Sequence, residues 1–179
     1  MYEHLDPLKK KLLSLSVETV PVPWKCVGTI SVGGLRSVGF DKESEHLLIV
    51  SSQGRCVIDC RTGEKVARDY DDFDDDEISL EIQGIGILAS QRIRVAGLFG
   101  GGLPNTTEDG WRLESVTINW PEQMIMLLPP DSGLYGSLMK RPDIMTKVVE
   151  DSCLRAYGFS YTGQSFIFAT TSDVTVFSR

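Results

Sequence analysis

The stretch Gly97-Leu98-Phe99-Gly100-Gly101-Gly102-Leu103-Pro104-Asn105-Thr106-Thr107-Glu108-Asp109-Gly110-Trp111 holds the residue types with the most chemistry open to them. Three adjacent glycines leave backbone N–H groups uncovered, and such a loop can wrap an anion or an oxyanion. Acyl transfer would also need a G-x-S-x-G nucleophile elbow. Gly158-Phe159-Ser160-Tyr161-Thr162-Gly163 has the wrong spacing for one. A phosphate cradle ordinarily ends in lysine and opens a helix, whereas this loop runs into Pro104 and an expected strand. Two readings stand. In one it is a long hairpin loop whose Trp111 plugs a core edge. In the other it binds a ligand or partner through Phe99, Asn105, Thr106, Thr107, Glu108, Asp109 and Trp111, since long loops in small domains are often functional.

A second constellation is acidic. Asp69, Asp71, Asp72, Asp74, Asp75, Asp76 and Glu77 crowd together, with Tyr70 and Phe73 between them. So many carboxylates cannot be buried without a large penalty, so the segment is expected at the surface. Calcium takes several oxygen ligands, but its loop signature needs glycine at the sixth position, and counting from Asp69 that place holds Asp74. The remaining readings are a solvated loop and a docking surface for a basic partner, with Tyr70 and Phe73 as anchors.

Other motifs lead away from catalysis. Gly84-Ile85-Gly86-Ile87-Leu88-Ala89 matches a dinucleotide fingerprint in letters, but Gln91-Arg92-Ile93-Arg94-Val95 follows as an expected strand where a helix is required. Cys56 and Cys60 share a strand face about 13 Å apart, too far for one zinc ion. The two histidines, His4 and His46, are distant in sequence and leave few candidate bases. No catalytic residue, metal ligand or cofactor is assigned.

These features need positioning by β structure. Asp6-Pro7 starts a helix over about 7–15, with Leu5, Leu8, Leu12 and Leu15 at helical spacing and Lys9, Lys10 and Lys11 mostly on the other face, expected to pack as a lid. Pro21 and Pro23 then force an extended segment. Strands are expected at Cys26–Val32, Leu35–Phe40, His46–Ser52, Arg55–Cys60, Lys65–Arg68, Ile78–Ile82, Arg92–Ala96, Arg112–Ile118 and Gln123–Leu128. Four more follow at Thr146–Glu150, Leu154–Phe159, Ser165–Thr171 and Val174–Phe177. Gly33-Gly34, Gln53-Gly54 and Thr62-Gly63 mark tight turns.

An internal repeat organises them. An offset of 119 carries Leu35-Arg36-Ser37-Val38-Gly39-Phe40 onto Leu154-Arg155-Ala156-Tyr157-Gly158-Phe159 without a gap. It also carries Leu47-Leu48-Ile49 onto Phe166-Ile167-Phe168, Val57-Ile58 onto Val176-Phe177, and Thr29-Ile30 onto Val148-Val149. The repeat units span about 29–58 and 148–177. Each is a supersecondary unit that cannot bury its apolar face alone, and each glycine before the phenylalanine marks a bulge or a close backbone approach.

The first copy, through Leu35, Val38, Phe40, Asp41, Leu47-Leu48, Ser51-Ser52, Gly54, Val57-Ile58-Asp59 and Thr62-Gly63, resembles a blade of a WD-repeat β-propeller, with Ile58-Asp59 in the place of the tryptophan-aspartate pair; the glycine-histidine signature is missing. The second copy is a weaker match. The resemblance implies a small propeller-like architecture, and a sandwich of packed meanders fits the same pattern. The chain as a whole is also similar to small bacterial proteins, a likeness that implies no activity.

Composition sets the outer bounds. With 179 residues, 41% hydrophobic and 24% charged, the chain is expected to be one mainly β domain over 1–179, of antiparallel meanders plus a short N-terminal helix. A net charge of −7 disfavours nucleic acid as a partner and favours a basic protein. There is no apolar leader and no run long enough for a membrane span, and the four cysteines read as reduced and mostly buried. A cytoplasmic, non-catalytic interaction domain is expected, with an immunity-type protein that neutralises a basic partner as one concrete form. A small-molecule binder or enzyme built on the glycine loop, and a structural subunit of a bacterial assembly, are the alternatives.

Overall fold

The computed structural model describes residues 6–71, 73, 78–136 and 145–179. Chain contacts gather into two compact units: the segment up to Pro21 with Glu108–Ser152, and Val22–Thr107 with Cys153–Arg179. The class is the expected one, mainly β and antiparallel, with one short N-terminal helix.

In the first unit, the helix α1 spans Asp6–Ser14 and the strands β9 (Arg112–Val116), β10 (Gln123–Leu128) and β11 (Thr146–Asp151) form a meander in the order β11-β10-β9. Leu12 is buried against Met124, Met126, Leu128 and Met145, and Leu8 and Leu15 pack beside it. The helix therefore covers the sheet with its leucine face, as its spacing predicts. Lys147 pins the end of the segment. Its buried ammonium donates to the Leu15 carbonyl at 2.7 Å and pairs with the Glu150 carboxylate at 2.6 Å. A cation is favourable there because the last carbonyls of a helix lack partners.

The second unit holds the first repeat copy and the second from Cys153 onward; Val148-Val149, at the start of the second copy, belongs to β11 of the first unit. β2 (Leu35–Phe40), β3 (His46–Ser51), β4 (Gly54–Asp59) and β5 (Glu64–Asp69) form one meander, extended at the β2 edge by β8 (Ala96–Gly97). β12 (Ala156–Phe159), β13 (Ser165–Ala169) and β14 (Asp173–Ser178) form the other, completed by β1 (Lys25–Ser31) on β14. The two copies share their register. Phe40 faces Leu47 as Phe159 faces Phe166, Gly39 faces Leu48 as Gly158 faces Ile167, and Leu47 faces Ile58 as Phe166 faces Phe177. A hairpin β6–β7 (Glu81–Gln83 and Arg92–Arg94) and a 3-10 turn at Gly86–Leu88 complete the unit.

Residues alternate across the pleat of β3 and β4. Leu47, Ile49, Cys56 and Ile58 face a core shared with Ile167, Ala169, Val174 and Val176 of the second copy, so each repeat covers the other's apolar face. Leu48, Val50 and Val57 face Ile82, Leu88, Ile93 and Val95 on the opposite side. Burial on both faces explains why His46–Ser51 reads as a continuous apolar run. Trp24, Phe159, Phe166 and Phe177 add an aromatic cluster, with Trp24 edge-on to Phe166 at 5.0 Å and Phe177 stacked on Phe166 at 4.5 Å.

Three expectations need correcting. The strand expected at Ile78–Ile82 shrinks to Glu81–Gln83, because Leu80 turns with φ 54° and leaves Ile78 exposed. The strand expected at Arg92–Ala96 breaks at Val95, whose N–H goes to the Leu80 carbonyl, before Ala96 and Gly97 pair with β2. Of the four cysteines, all free, Cys56 and Cys60 are buried but Cys26 and Cys153 are exposed. The Thr29-Ile30 and Val148-Val149 segments are both strands, and each closes the far edge of a sheet other than the one its following strand opens. No helix is long and apolar enough to cross a membrane among the described residues.

Candidate functional site

The Ser51–Gly54 turn between β3 and β4 organises the site. The Ser51 hydroxyl donates to the Gly54 carbonyl and accepts from the Gln53 N–H, both at 3.2 Å, while the Ser52 N–H is anchored on the Gly34 carbonyl. Beside this turn opens a cleft of about 330 Å³, whose other walls are Arg36, Tyr70, Asp71 and Phe73. That volume lies at the lower end of the range typical of ligand pockets.

The acidic run leaves β5 into this cleft. The Asp69 carboxylate accepts the Asp71 N–H at 2.8 Å and pairs with Arg55 at 2.6 Å. The Asp71 N–H first, and then the Arg55 guanidinium, hold the Asp69 carboxyl below its ordinary 3.8. Arg55 also donates to the Gln83 carbonyl and lies 4.8 Å from the Phe73 ring centre. Arg68 lies 4.4 Å from the centre of Tyr70, whose ring is otherwise exposed. Each anchor ring thus already accepts a cation from its own chain, as the electron-rich aromatic face favours. Asp72, Asp74, Asp75, Asp76 and Glu77 lie outside the described residues.

The glycine loop reaches the same place through one residue. Gly97 and Gly100 exchange backbone hydrogen bonds at 2.9 and 3.1 Å, so Leu98 and Phe99 form the tip of a two-residue hairpin. Phe99 stacks under Arg36 at 5.4 Å, and the Leu98 N–H bonds the Arg36 carbonyl. Gly101 turns with φ 83° and passes so close to Val95 that a Cβ there would lie 2.4 Å from its carbonyl oxygen. The N–H groups of Gly97, Leu98 and Gly100 are therefore engaged by the chain itself, which removes them from any anion cradle.

The remaining loop candidates divide between the two units. In the second unit, Asn105 and Thr106 are exposed, while Thr107 is buried and packs where Gly163 has no side chain. In the first unit, Glu108 and Asp109 are exposed and Trp111 is buried. Trp111 serves as core in its unit. Of the predicted residues, the structure brings Tyr70, Asp71 and Phe73 together, with Phe99 attached through Arg36.

Sequence reasoning missed Arg36 and the Ser51–Gly54 turn as cleft walls. It also missed two buried carboxylates, Asp41 and Glu45, at the other end of the meander. Asp41 accepts from the Ser44 hydroxyl at 2.6 Å, and Ser44 lies 2.8 Å from His46 Nδ1. Glu45 accepts from the Thr162 hydroxyl, joining the first loops of the two repeat copies. Nearby, burial, then the charges of Glu45 and Asp59, push the Cys60 thiol up, which favours its neutral form. Among the described residues no three His, Cys, Asp or Glu side chains gather as metal ligands.

No protein-family model and no curated protein matches this chain.

Proposed function

We propose that this protein is a non-catalytic interaction domain that receives a basic protein at the cleft between the Ser51–Gly54 turn and the exit of β5. The observation that carries this reading is that Tyr70, Asp71 and Phe73 line one cleft of about 330 Å³ at the head of the acidic run. Exposed Tyr70 offers a ring face, and Asp71 offers a carboxylate, to an incoming lysine or arginine. The net charge of −7 steers such a partner toward the protein. An immunity-type protein that neutralises a basic toxin is one concrete form of this activity. The reading of each meander as a propeller-like blade is supported by the shared strand order and register of the two copies.

The test is recovery of the protein with its partner from its host at low salt, followed by a salt series. A basic partner released steeply as salt rises, and lost with Tyr70→Ala/Asp71→Asn, is the expected result. A partner that is acidic, or that binds the variant equally well, overturns it.

A further inference from the structure

On the other side of the same turn lies a smaller cleft of about 140 Å³, walled by the β1–β2 turn at Val32 and Gly33, by Ser51 and Gln53, and by strands β4 and β5. Its charge opposes that of the molecule. Arg55, Lys65 and Arg68 line it and, among the described residues, no carboxylate does, although the protein carries 25 acidic residues against 18 basic ones. Arg55 is already committed to Asp69 and Gln83. Lys65 and Arg68 are not. Among the described residues neither makes an ion pair or side-chain hydrogen bond, and the Gln53 amide makes none either. The strand register explains the pairing of the two cations. Lys65 stands opposite Ile58 and Arg68 opposite Cys56, which places both on the β5 face that Cys56 and Ile58 share. Arg68 is further fixed by its stack on Tyr70.

We propose that this cleft binds a phosphate group carried by a small ligand. Uncompensated cations of one sign in a concave wall concentrate the field and attract an anion. The donors approach from separate elements: an ammonium and a guanidinium from β5, and an amide from the β3–β4 turn. Three donor groups of this kind suit a tetrahedral oxyanion better than the two oxygens of a carboxylate. The volume is well below that of a whole-ligand pocket, so the cleft holds the anionic group while the rest of the ligand extends outward. The two clefts share the Ser51–Gly54 turn, and Arg68 stacks on Tyr70, but Lys65 and Arg68 are walls of the smaller cleft and not of the larger.

Cys56 supplies an internal reporter. Cys56 is one of the cleft's lining residues and is 8% exposed, whereas Cys26 and Cys153 are exposed elsewhere in the chain. The experiment is alkylation by iodoacetamide, read at each cysteine by mass spectrometry, with inorganic phosphate compared against chloride at matched ionic strength. Calorimetric titration with phosphate runs alongside, on the protein and on Lys65→Gln/Arg68→Gln. The expected result is severalfold slower alkylation at Cys56 alone, together with phosphate binding that weakens at least tenfold in the variant. Absence of phosphate binding in the calorimetric titration overturns the proposal without recourse to any variant. So does undiminished binding by a folded Lys65→Gln/Arg68→Gln protein. Protection by acetate as strong as by phosphate would overturn the tetrahedral assignment.

Discussion

Gly39 and Gly158, matched by the repeat, each have another segment pressed where a side chain would begin. A Cβ on Gly39 would stand 2.3 Å from the Arg94 carbonyl oxygen, and one on Gly158 would stand 2.8 Å from that of Pro104 and 2.4 Å from Leu103 Cβ. The second approach is sealed by the Phe159 N–H donating to the Pro104 carbonyl at 2.6 Å. The repeat therefore preserves a docking groove along the first strand of each meander. One copy receives the β7 segment, and the other receives the chain leaving the glycine loop.

Gly39→Ala and Gly158→Ala should each cost about 1–3 kcal/mol, because overpacking against backbone cannot relax by a rotamer change. Gly102→Ala, with nothing within 4 Å of its Cβ, should stay within about 0.5 kcal/mol. Urea unfolding of the three variants measures the contrast.

Asp69 makes stability pH-dependent in a defined direction. Its carboxyl lies below the ordinary 3.8 in the folded protein. Its contribution is therefore complete above that value and is lost as the pH falls through the lower folded one. Unfolding midpoints of the protein and of Asp69→Asn should differ at neutral pH and converge in acid. A difference that grows on acidification would contradict the assignment.

Lys147→Met keeps the aliphatic stem and removes the ammonium. The loss should be about 1–3 kcal/mol, since the Leu15 carbonyl and the Glu150 carboxylate lose their donor. Hydrogen exchange should show α1 amides opening faster, with the amides of β13 unchanged.

Tyr70→Ala should leave the unfolding midpoint nearly untouched, the ring being 68% exposed, and should weaken partner capture roughly tenfold. Thr106→Ala, in the part of the glycine loop distant in sequence from Phe99, should leave capture unchanged. Binding measured at a single fixed salt concentration distinguishes the two.

Much of the architecture was legible because side chains repeat. β4 and β14, Gly54–Asp59 and Asp173–Ser178, coincide under the repeat offset to the residue, and β10 falls where apolar patterning put it. Glycine before phenylalanine announced a close approach, and the structure shows which segments make it. What eluded the sequence was long-range pairing. Nothing in Lys25–Ser31 names β14 as its partner, because an edge strand's backbone bonds leave no side-chain signature. The cleft was half legible for the same reason. Tyr70 and Phe73 stood out among carboxylates, but Arg36 and Gln53 are ordinary surface residues until the turn brings them together. Of the glycine triplet, the tight hairpin engages the Gly100 donor, a bond the letters alone do not announce.

The junction of β1 with β14 sets an order on biosynthesis. Ile30 waits for Val174, and Cys26 waits for Phe177, so a strand made early can find its neighbour only after the ribosome has added about a hundred and fifty residues, a span that follows from their numbering. Until then Trp24 and the inner face of the first meander stand uncovered, and the nascent protein has its greatest need of a chaperone.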